Sequence, residues 1–269
     1  MFPVGKQPNF TRDVAGIQNK HVKEIAIDHD TKNIKLLSSL PNIDTVWIYW
    51  VNQKEFDSII SLINPRHLYV YGVQIPDLSS LECLADVETI CLQWNTKAST
   101  LWDVSQNTRL RKLGVEDFKH LVDISVLSDC FWLDELTLAG GVVSNTLKLD
   151  NLSPLSALVN LKTLGLNNIR VKDESLSPLQ HLKTLKELHI SNQFPTEEYA
   201  KLSVHLRKTT CDLFQPYKKL LQHINGKDVM VTGKRKPFLN SVADVSKLEK
   251  YASQFKQFQD KERKELAEL

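Results

Sequence analysis

The sequence of 269 residues lacks the features that mark several classes of protein. Its four cysteines, Cys83, Cys91, Cys130 and Cys211, form no CxxC pair or other metal-ligand spacing, so we predict free thiols and no metal site. No apolar run approaches the roughly 18–20 residues of a transmembrane helix, which argues against a membrane protein. The formal net charge is only +2, which argues against a nucleic-acid-binding protein.

The signatures of common enzyme classes and of export are also missing. The chain contains no HExxH, GxSxG, GxGxxG or GxxxxGK[ST] pattern, and we therefore predict neither an enzymatic activity nor a cofactor. The first residues, MFPVGKQPNFTRD, include no apolar core and no small-residue cleavage site of a signal peptide. A cytoplasmic location is expected on this ground.

An apolar pair separated by one residue recurs along the chain at a nearly constant interval. Nine such pairs follow one another at steps of 21, 22, 22, 23, 23, 28, 24 and 23 residues. We call them L-x-L pairs, and they are Ile25/Ile27, Val46/Ile48, Leu68/Val70, Ile90/Leu92, Leu113/Val115, Leu136/Leu138, Leu164/Leu166, Leu188/Ile190 and Cys211/Leu213. Alternation of this kind predicts one β-strand in each repeat.

Longer segments around these pairs resemble a known repeat family. VETICLQWN (87–95) has the form LxxLxLxxN, and LVNLKTLGLNNI (158–169) has the form LxxLxxLxLxxN/I. In this respect the sequence resembles leucine-rich-repeat proteins, and its repeat lengths and SPL segments (153–155, 177–179) resemble bacterial internalin-type repeats. The resemblance implies an α/β solenoid with terminal caps, in which each repeat of about 22–24 residues adds one strand to a curved parallel sheet. Asn95 alone is placed to form the side-chain hydrogen bonds that the family's asparagine makes with the backbone.

The physics of burial favours the same architecture. One such repeat cannot bury its apolar face alone, whereas stacked repeats form a continuous core. A doubly wound α/β fold is the alternative, but it needs crossover helices of about 10–15 residues, for which a period near 22 leaves too little room. We divide the chain into an N-terminal cap (1–20), leucine-rich repeats (21–215) and a C-terminal cap (216–269).

The C-terminal cap and one long repeat depart from the regular pattern. Tyr217–Ile224 is predicted as a short helix that ends at Asn225-Gly226, and KDVMVTGKRKPFLN (227–240) as a hairpin of two short strands. The spacing of apolar residues over 242–258 predicts an amphipathic helix. The 28-residue step contains AGGVVSNTLKLDN (139–151), which we interpret as an enlarged loop.

The segment TVWIYW (45–50) is apolar or aromatic at nearly every position, although a half-buried strand alternates apolar and polar residues. Since Val46 and Ile48 point into the solenoid, Trp47 and Tyr49 must lie on the opposite face of the sheet. The resemblance implies that this face is concave and open to solvent. Tyr69 and Tyr71 occupy the same columns one repeat later. We therefore expect a contiguous aromatic patch on this face, and exposed aromatic patches often mark binding sites.

These observations lead to a hypothesis about function. We predict a non-enzymatic module that binds a protein partner on its concave sheet, with the following binding residues: Trp47, Tyr49, Tyr69, Tyr71, Gln93, Glu116 and Glu135. A more specific form of this hypothesis is an inhibitor or immunity protein, but no residue of the sequence favours it. The alternatives are a carbohydrate-binding protein that uses the same aromatic patch, and self-association through it. The aromatic pairs would have a purely structural role if the N-terminal segment covered them.

Overall fold

The computed structural model describes residues 2–3, 5–18, 21–141 and 145–268. Its helices are α1 (Gln53–Ile60), α2 (Thr196–His205) and α3 (Val245–Ala267). Its strands are β1 (Glu24–Asp28), β2 (Thr45–Tyr49), β3 (His67–Val73), β4 (Thr89–Asn95), β5 (Lys112–Phe118), β6 (Glu135–Ala139), β7 (Leu147–Leu149), β8 (Thr163–Asn167), β9 (Ile169–Val171), β10 (Glu187–Ile190), β11 (Tyr217–Ile224), β12 (Lys227–Val231) and β13 (Phe238–Leu239).

The main sheet is parallel and has eight strands in the order β1-β2-β3-β4-β5-β6-β8-β10. Each of the first eight L-x-L pairs lies in one of these strands, and both members of seven of the pairs are buried. They form one continuous apolar core with residues of the outer segments. The predicted solenoid with one strand per repeat is therefore confirmed.

Short helical segments cover the side of the core away from the sheet. In most repeats this segment is a single 3-10 stretch, such as Ser79–Cys83, Ser153–Ala157 or Ser177–His181. Each of these three fully buries one leucine in the core, and its other residues are at least partly exposed. This agrees with the three-residue leucine spacing, because residues three apart lie on one side of a 3-10 helix.

The ninth predicted strand is absent from the main sheet of the described residues. Around Cys211/Leu213 only Thr210 pairs with the sheet, through an isolated bridge to Glu187. The N–H of Phe214 then donates to the carbonyl of Cys211 at 3.1 Å, and this turn takes the chain out of the sheet direction. The prediction of a nine-stranded sheet is therefore wrong by one strand.

The prediction of a helix at Tyr217–Ile224 is also wrong, because this segment is strand β11. It pairs with β12 in an antiparallel hairpin, and β13 completes a three-stranded sheet. Asn225 and Gly226 both have positive φ (49° and 74°), the conformation of a two-residue hairpin turn. The same Asn-Gly pair can end a helix, which explains the error. Helix α3 packs on this sheet through Leu248 and Tyr251.

The long repeat contains more structure than the loop expected at 139–151. Its strand β7 pairs in parallel with β9 of the next repeat, with Leu147 opposite Ile169. Residues 142–144 of the predicted loop lie outside the described residues. The side chain of Asn168 donates to the carbonyls of Gly141 and Asn145 at 2.7 and 3.2 Å, which holds the ends of this segment together.

Candidate functional site

The register of the main sheet aligns the predicted binding residues in columns on the concave face. Trp47 lies opposite Tyr69, which lies opposite Cys91 on the next strand. In the neighbouring column the order is Tyr49, Tyr71, Gln93 and Glu116. Glu135 lies opposite Lys112 in a third column. The Glu135 carboxylate and the Lys112 ammonium form an ion pair at 2.6 Å. The sheet therefore brings all seven predicted residues to one face.

The four aromatic residues enclose a fifth ring, that of Phe2. The ring centroids of Trp47 and Tyr69 are stacked 4.2 Å apart, and those of Tyr49 and Tyr71 are 5.7 Å apart. Phe2 lies 5.6, 6.3, 5.9 and 5.6 Å from the rings of Trp47, Tyr49, Tyr69 and Tyr71 respectively. We call the position of this ring, bounded by the four aromatic residues, the Phe2 site.

Polar groups lie next to the residues of the Phe2 site. The backbone N–H of Phe2 donates to Oε1 of Glu116 at 2.9 Å, and the indole N–H of Trp47 donates to Oε1 of Glu24 at 2.6 Å. The side-chain oxygen of Gln93, one strand from Glu116, is buried and has no hydrogen-bond partner among the described residues. A buried acceptor without a donor is unusual in a folded protein.

The expectation that Trp47 and Tyr49 are open to solvent is wrong, although both lie on the concave face as predicted. Only 2% of Trp47 and 5% of Tyr49 is exposed, because Phe2 covers both rings and Phe10 packs on Tyr49 at 5.0 Å. Tyr69 and Tyr71 are partly exposed. Burial raises the pKa of Tyr49 to about 12 and raises that of Tyr69, so both phenols are protonated at neutral pH.

Sequence reasoning missed Phe2 and Phe10 as members of this cluster. Both lie in the segment MFPVGKQPNF, which has no periodic apolar pattern, so their only sequence signal is that they are isolated aromatic residues in a polar stretch. The chain runs beside β1 at Phe10, which bridges to Ala26, and Phe2 lies on the concave face. We call the described residues 2–3 and 5–10 the covering segment.

The thiol, carboxylate and imidazole side chains on this face are poorly placed for catalysis. Cys91 is buried in the aromatic cluster, and burial raises the pKa of its thiol to about 11, so very little of it is the nucleophilic thiolate at neutral pH. The side chains of Glu187 and His189 lie 3.3 Å apart, and both are more than half exposed to solvent. The described residues contain no group of His, Cys, Asp and Glu side chains that could hold a metal ion.

The other end of the concave face is open and polar. A hollow of about 490 Å³ lies there, lined by Asn167, Glu187, His189, Asp212 and Lys218 among others. Lys218, which belongs to β11, pairs with Asp212 at 3.1 Å. Sequence reasoning did not place it here, because the segment was expected to be a helix.

The edge of the sheet beyond the strand ends presents two further tryptophans. Trp50 and Trp94 are 47% and 45% exposed and have positive φ angles of 51° and 61°. Gly72 lies between them, and they help to line a groove of about 460 Å³. Phe10 stacks on Trp50 at 5.8 Å, so this edge is continuous with the covering segment.

Comparisons with solved structures found similar chains. An internalin (inlF) from Listeria monocytogenes has a TM-score of 0.48 and 17% identity over 71% of this chain and 60% of that chain. An internalin C2 (inlC2) from the same organism has a TM-score of 0.48 and 22% identity over 64% of this chain and 71% of that chain. A leucine-rich-repeat protein from Leptospira interrogans has a TM-score of 0.58 and 18% identity over 76% of this chain and 52% of that chain.

The likeness to the third structure concerns the fold alone. The chain spans only 60% and 52% of the first and the third of these structures. No protein-family model and no curated protein matches it. With its eight stacked strands and repeat pattern, the chain has a leucine-rich-repeat fold. No helix among the described residues is long and apolar enough to cross a membrane.

Proposed function

We propose that this protein is a non-enzymatic module that binds a protein partner on the concave face of its sheet. The face carries aligned side chains from eight strands, and a standard interface needs about 800 Å² from each partner. The predicted residues divide between two parts of it. Trp47, Tyr49, Tyr69 and Tyr71 form the apolar part, and Gln93, Glu116 and Glu135 lead into the polar part.

The observation that carries this proposal is the docking of Phe2. The concave face already holds a polypeptide segment, through one aromatic ring and one backbone N–H. Aromatic side chains in enclosed positions are typical anchors of protein interfaces, because they bury a large area at low cost in conformational entropy. A surface that holds its own chain in this way has the chemistry to hold another chain.

Charge reversal on the open part of the face tests this proposal. The variant Glu135→Lys/Glu187→Lys changes two partly exposed carboxylates on the concave face. Its charge-matched control, Asp129→Lys/Glu249→Lys, changes two exposed carboxylates on the outer 3-10 segment Ser125–Asp129 and on α3. Each tagged protein is used to capture partners from a lysate of the source organism, and the captured proteins are identified by mass spectrometry.

We expect one protein to be retained by the wild type and the control but lost by the concave-face variant. Capture of the same proteins by all three would contradict the proposal. Circular dichroism establishes that each variant is folded.

A cytoplasmic location belongs to the same proposal and is supported by the four cysteines, which form no disulfide. Cell fractionation with an antibody to the protein tests the location.

A further inference from the structure

We infer that the partner inserts an aromatic side chain into the Phe2 site and replaces Phe2 there. This inference rests on the proposed function and names the chemistry of the partner. The partner segment is an extended stretch of polypeptide with one aromatic side chain, a backbone N–H that reaches Glu116, and a second donor that reaches Gln93. The covering segment occupies the site when no partner is bound.

The Phe2 site is shaped for an aromatic ring. The planes of Trp47, Tyr49 and Tyr69 lie at 78°, 88° and 82° to that of Phe2, so all three rings meet it in T-shaped contacts. Aromatic pairs of this kind contribute beyond the area that they bury, and an aliphatic side chain cannot form them. Phe2 is only 4% exposed, so the site encloses its ring almost completely.

The polar groups at the site suit a polypeptide ligand that makes one more hydrogen bond than the covering segment makes. Glu116 already accepts the N–H of Phe2. The oxygen of Gln93, one strand away, is buried without a donor among the described residues. A partner that supplied this donor would satisfy a buried acceptor, which favours the partner over the resident segment.

The covering segment is held in a way that permits exchange. Within the described part of the chain, the N–H of Phe2 provides the one hydrogen bond between residues 2–8 and the sheet. Gly5 and Lys6 are exposed. In the described residues, pairing of the backbone with the sheet begins at Phe10, which bridges to Ala26, and the N–H of Thr11 donates to the carbonyl of Ala26 at 2.8 Å. Release of Phe2 therefore leaves the repeats and their core intact.

A peptide with the sequence of residues 2–10 is the probe for this inference. The acetylated and amidated peptide FPVGKQPNF is titrated into the Phe2→Ala variant of the full chain by isothermal titration calorimetry. Its control is the peptide APVGKQPNF, in which only the anchoring phenylalanine is changed. We expect the phenylalanine peptide to bind the variant at least tenfold more tightly than the alanine peptide does, and at least tenfold more tightly than it binds the wild type.

Two further variants keep the test decisive. Phe2→Leu retains an apolar side chain, so it replaces Phe2→Ala if that variant is not folded by circular dichroism. Adding Trp47→Ala to either variant removes one wall of the site and should abolish peptide binding. Equal affinity for the two peptides, or no binding to a folded variant, would overturn the inference and show that the aromatic cluster only stabilises the sheet.

The inference and the proposed function fail in different experiments. The charge-reversal variant substitutes no residue of the Phe2 site. Loss of a partner on charge reversal without peptide exchange would leave the proposed function in place and overturn only the aromatic anchor. Peptide exchange without any effect of charge reversal would contradict the proposed function and show only that the Phe2 site accepts an aromatic side chain.

Discussion

The backbone N–H of Phe2 donates to Oε1 of Glu116 at 2.9 Å, which joins two residues 114 positions apart in the chain. Glu116 lies on β5 and is 9% exposed, so the hydrogen bond forms in a mostly water-free environment. Hydrogen bonds to charged groups are stronger than those between neutral groups. This contact therefore fixes the covering segment on the concave face, far along the sheet from the bridge between Phe10 and β1.

Removal of the Glu116 carboxylate should loosen the covering segment. Loss of a hydrogen bond to a charged group costs about 1.5–3 kcal/mol, which corresponds to at least about a tenfold increase in the open population. Trypsin should then cleave after the exposed Lys6 at least about tenfold faster in Glu116→Ala than in the wild type, as followed by mass spectrometry. The control is Glu135→Ala, because Glu135 faces Lys112 on the same sheet. Equal cleavage rates in the three proteins would contradict this prediction.

The reactivity of Cys91 should report whether the Phe2 site is covered. With a pKa of about 11, only about one thiol in a thousand is ionised at pH 8, and the aromatic cluster also blocks access. Iodoacetamide should therefore modify the exposed Cys83 at least about a hundredfold faster than Cys91, as quantified by peptide mass spectrometry. In Phe2→Ala the rate at Cys91 should rise while that at Cys83 stays unchanged. Rapid modification of Cys91 in the wild type would show that the covering segment does not protect it.

The repeats were predictable from the sequence because their signal is local and repeated. Val46 and Ile48 align with the L-x-L pairs of the other repeats, and this register assigns Trp47 and Tyr49 to the opposite face of the strand. The covering of Trp47 was not predictable, because Phe2 approaches it through a segment without periodicity. Strand β11 was missed because an Asn-Gly pair such as Asn225-Gly226 is typical both of hairpin turns and of helix ends. Only the pairing of β11 with β12 shows that this one is a hairpin turn.

Gly72 should be required for the position of the two exposed tryptophans. It has a φ of 67°, and a Cβ at this position would lie 2.7 Å from Cδ1 of Trp50. Gly226 is a matched control, since its φ is 74° but a Cβ there would have no neighbouring atom within 4 Å. Gly226→Ala should lower the free energy of unfolding by about 1 kcal/mol, because alanine is strained in the left-handed conformation. Gly72→Ala should lower it by about 2–4 kcal/mol, because the clash with Trp50 adds to this strain.

Urea unfolding, followed by tryptophan fluorescence, measures the free energy of unfolding of Gly72→Ala and of Gly226→Ala. The emission of folded Gly72→Ala should also differ from that of the wild type, because Trp50 must move. Equal losses of unfolding free energy in the two variants would mean that Trp50 moves aside without cost.

Asn95 should contribute more to stability than a surface asparagine does. It is fully buried, its amide donates to the carbonyl of Ile75 at 2.9 Å, and its oxygen accepts from the N–H groups of Lys97 and Ala98. Asn95→Ala leaves these backbone groups without their partners and should cost about 2–4 kcal/mol of unfolding free energy. The control is Asn151→Ala, which removes one exposed hydrogen bond to Ser153 and should cost less than about 1 kcal/mol. Similar losses in urea unfolding would contradict the role assigned to Asn95.

Acid should weaken the contact between the three-stranded sheet and α3 through Asp244. Its carboxylate accepts hydrogen bonds from the side chain of Lys247 at 2.8 Å, the N–H of Asn240 at 3.0 Å and the side chain of Lys227 at 3.1 Å. The hydrogen bond from Lys247 and then the other two lower the pKa of Asp244 well below its usual range. Since this pKa is lower in the folded state, the carboxylate stabilises the fold above the ordinary aspartate pKa of about 3.9, and this stabilisation is lost as the pH falls further.

The variant Asp244→Asn should therefore be less stable than the wild type at pH 7, and its stability should depend less on pH between about 4 and 2. Thermal unfolding by circular dichroism across this range measures both effects. The control is Asp129→Asn, which changes an exposed carboxylate on an outer 3-10 segment and should retain the acid dependence of the wild type. If Asp244→Asn lost stability in acid as steeply as the wild type, other carboxylates would be responsible. If it also matched the wild type at pH 7, the three hydrogen bonds to Asp244 would contribute nothing to holding α3 against Lys227 of β12.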